Sequence, residues 1–317
     1  MADEGAYRRK GEKEKPGKKN NGLYIMVIFI SIGFIFLMIF GLVALSSGTK
    51  NPFGKCVGVV EINGEITTAD SSASLFSEGS AGSYEISRRI EKINERDDVA
   101  AVLFVINSPG GSVVGTNEIY RAVDGLEKPK VAYFREVAAS GGYYIATPAD
   151  YIISEPNALT GSIGVIMSTY EVGELFQKLG ITEVVIKSGE MKDIGSPFRN
   201  MTEAEKELLG EAVSEIFEEF KGVVLDQRGE KINRAMFDEI TDGRVLTGRM
   251  ALRAGLVDAL GSREDALRKA AELGGMEYDG DVPTCEIDVS GTQAGLFSAS
   301  SIFGADAGGA SYSVEYR

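Results

Sequence analysis

Ser140 lies in V-A-A-S-G-G-Y-Y-I-A-T, Val137 to Thr147, between two alanines and two glycines. Small residues crowd a serine in this way where its hydroxyl must stay open to a substrate and its backbone must let another chain approach. A tight turn entering a closely packed helix has the same look. What sharpens the chemical reading is that the 317-residue chain contains no histidine. A serine needs a base to act as a nucleophile at neutral pH, and the usual imidazole is missing. The remaining common solution is a neutral lysine, and Lys192 in K-S-G-E-M-K-D-I-G-S-P is the candidate. A free lysine titrates at about pH 10.4; keeping one neutral near pH 7 takes about 4 kcal/mol of differential solvation, which requires a largely desolvated site.

The elements that would position these groups alternate. Cys56 to Ile62 reads as a strand ending in the Asn63-Gly64 turn, and Ser71 to Ser83 as a mobile, Ser/Ala/Gly-rich loop. Ile86, Ile90 and Ile93 recur at helical spacing, and Ala100 to Ile106 is a continuous apolar run, the mark of a strand buried on both faces. Asn107 to Ser112 makes a glycine turn, Thr116 to Leu126 a helix, Lys130 to Phe134 a strand, and Tyr143 begins a helix after Ser140. Tyr151 to Ser154, Gly164 to Met167 and Thr182 to Ile186 read as further strands, with a helix over Tyr170 to Leu179. This alternation predicts an α/β core with a mostly parallel sheet and flanking helices. Ser140 and Lys192 both fall in connections after strands, where such folds place their chemistry. Thr202 and Glu205 form a capping box opening a helix to about Asp226, whose stripe from Leu208 to Val224 is expected to pack on the sheet or on a neighbouring subunit. Helices near Thr247 to Arg253 and Ser262 to Leu273 complete the core.

Outside that core, Leu23 to Leu45 holds no charged residue and is long enough to cross a bilayer, which takes about 20 residues. The alternative is a signal peptide cleaved near Ala44-Leu45-Ser46, whose apolar region would normally span only about 7–15 residues. Seven basic residues between Arg8 and Lys19, against four acids, precede the stretch. Such flanking charge predicts a cytoplasmic N-terminus and an exported remainder. The expected organisation is a basic tail over 1–22, an anchor over 23–45, a linker over 46–54, a catalytic domain over 55–275 and a flexible extension over 276–317. The net charge of -14, more acidic still once the tail is set aside, argues against nucleic acid as a partner. Cys56 and Cys285 can pair in an oxidising compartment, but two cysteines make no framework. No cluster has metal-ligand spacing and no phosphate-binding loop is present, so neither metal nor nucleotide cofactor is expected.

Five motifs in order carry a resemblance: N-S-P-G-G-S-V at Asn107 to Val113, A-A-S-G-G-Y-Y at Ala138 to Tyr144, L-T-G-S-I-G-V-I at Leu159 to Ile166, K-S-G-E-M-K-D at Lys187 to Asp193, and D-G-R-V-L-T-G-R-M-A at Asp242 to Ala251. Over about Val57 to Leu273 the chain resembles the signal peptide peptidase A family in its short single-repeat form. These are membrane-anchored serine-lysine peptidases of the Clp protease/crotonase-like fold. The resemblance implies Ser140 as nucleophile, Lys192 as general base with Lys187 as its rival, Ser162 as a supporting hydroxyl, and the backbone N–H groups of Gly111 and Gly141 as the oxyanion hole. Asp193 must point away from Lys192 if that amine is to be neutral. The family pattern further implies hydrophobic peptide substrates, especially cleaved signal peptides, and a membrane-bound homo-oligomer in which serine and lysine can come from adjacent subunits. The Ala/Gly/Ser-rich tail could itself enter an active site as a self-substrate. A crotonase-like acyl-thioester enzyme, a protease specific for a membrane-scaffold protein and an inactive assembly scaffold are the alternatives.

Overall fold

The computed structural model describes residues 26, 29–36, 38, 54–70 and 82–289, and the backbone of 314–316. The chain divides into two units, Met1–Pro52 and Phe53–Arg317. In the first, the described positions of the 23–45 stretch are helical and expose large apolar side chains such as Phe29, Phe34 and Phe36. No helix among the described residues is long and apolar enough to cross a membrane. The rest of the expected anchor, the basic tail, the loop at 71–81 and the tail over 292–313 lie outside the described residues.

The second unit is built on a sheet whose main path holds β1 (Cys56–Asn63), β2 (Val99–Ser108), β4 (Lys130–Ala139), β5 (Tyr151–Ser154), β9 (Ala259–Leu260) and β10 (Thr284–Glu286). Their order is β10-β1-β2-β4-β5-β9, and every pairing along this path is parallel. β2 explains the unbroken apolar run in the sequence. Val102, Phe104 and Ile106 face one core, and Ala101, Leu103 and Val105 face the other, so both sides of its two-residue period are buried.

Helices cover both faces. On the first lie α1 (Ser83–Glu91), α2 (Val113–Asp124), the single turn α3 (Gly141–Tyr144), the C-terminal half of α5 (Glu203–Arg228), α6 (Arg234–Ile240) and α7 (Gly248–Ala254). On the second lies α8 (Arg263–Leu273), whose Ala266, Ala270 and Ala271 let its backbone come close to the sheet. A buried ion pair, Arg228 to Asp258 with both bonds at 3.0 Å, ties the end of α5 to the strand that closes the sheet. Asp258 also accepts the Ile152 N–H, so the charge is met from two sides.

Four expectations need correction. Thr182 to Ile186 is not a strand: among the described residues no strand lies alongside it, and Val184 and Ile186 stand 81% and 96% exposed. Alternating apolar residues make a strand only where a neighbour supplies backbone partners. Gly164 to Met167 shortens to β7 (Ile166–Met167), and Tyr170 to Leu179 shortens to α4 (Gly173–Lys178). The extension from 276 is not loose throughout, since β10 pairs with β1, Val289 is buried, and a Cys56–Cys285 disulfide staples the two strands.

Candidate active site

The serine turn is made by strand register. β4 runs directly into Ser140, and α3 begins at the next residue. Beside β4 lies β6 (Leu159–Gly161), a short strand the sequence reading did not separate, with Ala139 opposite Gly161. The next residues on the two strands are therefore Ser140 and Ser162, and parallel neighbours lie about 4.8 Å apart. The Ser140 N–H donates to the Gly161 carbonyl at 2.9 Å, which locks the two chain reversals together. Both serines take a left-handed backbone, φ 53° and 49°. For a residue with a Cβ this costs on the order of 1–3 kcal/mol, and such strain persists only where surrounding contacts impose it.

Those contacts are visible. Outside β6 lies β8 (Val245–Thr247), antiparallel to it, and Ser162 N–H reaches the Arg244 carbonyl at 2.9 Å. The D-G-R-V-L-T-G motif is thus the outer wall of the Ser162 turn. Asn107 Oδ1 accepts the Val137 N–H at 3.2 Å, and Ser108 Oγ accepts the Gly110 N–H at 3.1 Å, tying the glycine turn after β2 to the end of β4. Gly111 opens β3 (Gly111–Ser112), and a Cβ there would stand 2.1 Å from the Ile66 carbonyl oxygen. A Cβ on Gly141 would stand 2.5 Å from Thr116 Oγ1 and 3.4 Å from the Gly111 nitrogen. Gly141 therefore lies against the Gly110–Gly111 backbone with no room for a side chain between them.

Within this turn the Ser140 hydroxyl is wholly buried and has no hydrogen-bond partner among the described residues; Thr116 Oγ1 beside Gly141 is in the same state. A buried hydroxyl left without a partner costs about 1–3 kcal/mol, so the turn holds a serine hydroxyl that the described residues around it do not satisfy. Thr116 entered the sequence reading only as the start of a helix, and nothing in its spacing marks it.

The lysine region is different. Lys192 lies in a single helical turn, Glu190–Asp193, is exposed, and makes no ion pair or hydrogen bond through its amine with any described residue. Lys187 is not a free solvated lysine: its Nζ bonds Asp193 Oδ1 at 2.6 Å and the Glu190 carbonyl at 2.8 Å. Asp193 is turned to Lys187 and Arg199, as a neutral Lys192 would need. The Arg199 hydrogen bonds, then that of Lys187, hold its carboxyl well below the usual carboxylate range. Ser140, Ser162, Gly111 and Gly141 are brought together within one chain; the desolvation expected of a lysine base is not supplied to Lys192 there.

One further strand bears on the site. The backbone of β11 (Val314–Tyr316) lies antiparallel to β3, with Tyr316 opposite Gly111, and antiparallel to β7, with Val314 opposite Met167. An extended segment thus lies between two short strands, one of them carrying the proposed oxyanion glycine.

The family model described as peptidase family S49 matches residues 124–277, a span that includes Ser140, Ser162 and Lys192. Over 246 residues the chain is 34% identical to a candidate signal peptide peptidase SppA of Enterococcus faecium, covering 75% of this chain and 70% of that protein. It is 40% identical over 190 residues to a candidate protease of a Synechocystis species, covering 59% of this chain and 68% of that protein. With a candidate protease of Methanocaldococcus jannaschii it shares 42% identity over 186 residues, spanning 58% of this chain and 59% of the relative.

Proposed function

This chain belongs to peptidase family S49 and is a serine peptidase, and we propose that it is a membrane-anchored endopeptidase cutting hydrophobic peptides with Ser140 as nucleophile and Lys192 as general base. The observation that carries the reading is the Ser140 turn: a left-handed, buried serine whose hydroxyl has no partner among the described residues, set beside the close-packed backbone of Gly111 and Gly141. Neutral Lys192 takes the Ser140 proton as the oxygen attacks a peptide carbonyl, and the two glycine N–H groups receive the developing oxyanion. The protonated lysine then gives its proton to the leaving amine, and water repeats the sequence on the acyl-enzyme. Ser162 supports the lysine amine from the adjacent turn.

Exposure of Lys192 in the single chain favours an assembly in which a second copy buries it. Val184 and Ile186, the most exposed apolar residues near it, supply a surface suited to that contact. The placement of β11 supports extended peptides that add a strand between β3 and β7. It also makes the chain's own tail a substrate; unchanged intact mass after long incubation would count against that. The charge-free 23–45 stretch and the Cys56–Cys285 disulfide favour an exported, anchored catalytic unit, because disulfides are usually retained outside the cytosol. Substrates left in or near a membrane, such as cleaved signal peptides, fit such a location.

Intact mass after fluorophosphonate treatment tests the dyad. Labelling of wild type that disappears in Ser140→Ala and Lys192→Ala and persists in Lys187→Ala is the expected result. Labelling lost in Lys187→Ala but kept in Lys192→Ala moves the base to Lys187, and no labelling of the folded wild type overturns the reading.

A further inference from the structure

The segment carrying Lys192 is loosely built except at one point. Before it, 182–186 has no strand partner among the described residues and projects apolar side chains into solvent. At Asp193, by contrast, polar contacts are dense. Arg199 donates from Nε to Asp193 Oδ2 at 3.0 Å, from Nη2 to Oδ1 at 2.9 Å, and from Nη2 to the Asp193 carbonyl at 3.1 Å. The same guanidinium donates from Nη1 to Glu205 Oε2 at 2.9 Å and from Nη2 to Glu205 Oε1. Glu205 is almost completely buried and accepts the Thr202 N–H at 2.8 Å within the capping box that starts α5. From the other side Lys187 bridges Asp193 and the Glu190 carbonyl, closing the turn around Lys192.

Stability accounts for part of this arrangement: Arg199 is the counter-ion of the nearly buried Glu205, whereas the more exposed Lys187–Asp193 pair contributes little. What the network adds is electrostatic and geometric. Two cations, Lys187 and Arg199, are matched to two carboxylates, Asp193 and Glu205, while Lys192 on the turn has no counter-ion among the described residues. A carboxylate free to swing toward a lysine stabilises its ammonium form and so opposes its use as a base.

We propose that Arg199, backed by Glu205, is a positioning residue for Lys192: with Lys187 it holds the Asp193 carboxylate turned away from the lysine amine and fastens the lysine turn to the start of α5. The inference rests on the reading of Lys192 as general base. The charged groups around the lysine are Lys187 before the turn, Glu190 and Asp193 on it, and Arg199 and Glu205 from the α5 side. Asp193 and Glu205, the latter lowered to about 2 chiefly by Arg199, stay ionised throughout the working range. A change in activity near neutrality therefore does not come from their own titration.

The test is kcat/KM against pH for the full-length enzyme on a hydrophobic peptide, comparing wild type, Arg199→Gln, Asp193→Asn and the double variant. Arg199→Gln is expected to move the acidic limb up by about one pH unit and to lower the rate at pH 7 about tenfold, with KM changed far less. Adding Asp193→Asn is expected to return the limb toward its wild-type position, because the carboxylate that Arg199 restrains is then gone. A loss equal at every pH, with no recovery in the double variant, would mean a merely structural role and would overturn the proposal. If Arg199→Gln does not fold, Arg199→Lys takes its place: it keeps the charge, loses the fork to both carboxylates, and should give a smaller shift in the same direction. An unmoved limb in a folded Arg199→Lys enzyme then overturns the proposal as well. Lys192→Ala separates the two levels. If it retains fluorophosphonate labelling the dyad reading fails, and this inference with it; if it is inert while the Arg199 variants show no shift, only the positioning role fails.

Discussion

The turns carrying Ser140 and Lys192 are built by opposite means. Ser140 is fixed by backbone: β4 and β6 in register, a main-chain bond to Gly161, two left-handed residues and glycines without space for a Cβ. Lys192 is fixed by side chains, through ion pairs around Asp193 on a segment that lies largely in solvent. One half of the proposed site is finished when the chain folds; the other is held in shape but not desolvated. The difference teaches that a single folded chain can fix a buried serine in a strained turn and still leave the candidate lysine in solvent. Catalysis in this protein should then depend on burial of the lysine turn as well as on folding.

Ser140→Ala draws the contrast most strongly. Peptide hydrolysis should fall by at least about 10⁴-fold, with the melting temperature unchanged or raised, because the substitution removes an unsatisfied buried hydroxyl; a large stability loss would show the turn to be structural instead. Next in size, Arg228→Ala leaves the largely buried Asp258 carboxylate with only Lys231 and the Ile152 N–H to meet it, and chemical denaturation should register a loss of about 3 kcal/mol. Gly141→Ala puts a methyl group against Thr116 and disturbs the oxyanion donors; kcat should drop by about 10²–10³-fold with a smaller change in KM.

On the lysine side the expected effects on folding are slight. Ile186→Ser should change stability by less than about 0.5 kcal/mol, since the side chain is already in solvent. Activity and sedimentation should nevertheless become concentration-dependent at lower dilution than in wild type; identical behaviour of the two proteins would remove this residue from any interface. The smallest effect is a pH term in stability. Burial raises the Asp258 carboxyl, but the Arg228 hydrogen bond and charge outweigh it and leave its value lowered in the fold. Its contribution is thus fully present above about pH 4 and lost as acid protonates it. Wild type should therefore lose melting temperature below that pH more steeply than Asp258→Asn does.

Much of this was legible in the residues themselves. The apolar run over Ala100 to Ile106 has the length and composition of a strand buried on both faces, and the Thr202–Glu205 box sets a helix start by local chemistry alone. The absence of histidine directs attention to lysine before any coordinate is known. Other features depended on partners distant in the chain. The alternating apolar residues of 182–186 look like a strand, but strand formation needs a neighbour, and among the described residues none lies beside them. The stripe of α5 reads as one face, yet Phe220 and Val224 are buried, Phe220 against Tyr144, while Leu208 is 47% exposed. β6 is too short for periodicity to reveal, although its pairing sets Ser162 beside Ser140. Nothing in the local sequence marks Arg199, because its role comes from joining Asp193 to Glu205 across a turn.

By itself, then, the amino-acid sequence determined the alternation of strands and helices, the small residues around Ser140 and the shortage of bases that leaves lysine as the candidate. These follow from local propensity, side-chain size and residue type, which need no distant partner. Only the tertiary structure decided that Ser140 and Ser162 share one edge, that Cys56 meets Cys285, that Asp193 is already engaged, and that Lys192 stands exposed. Each of those depends on strand register or on contacts between segments far apart in the chain, where the free energy of a group is set by neighbours that its own sequence does not name.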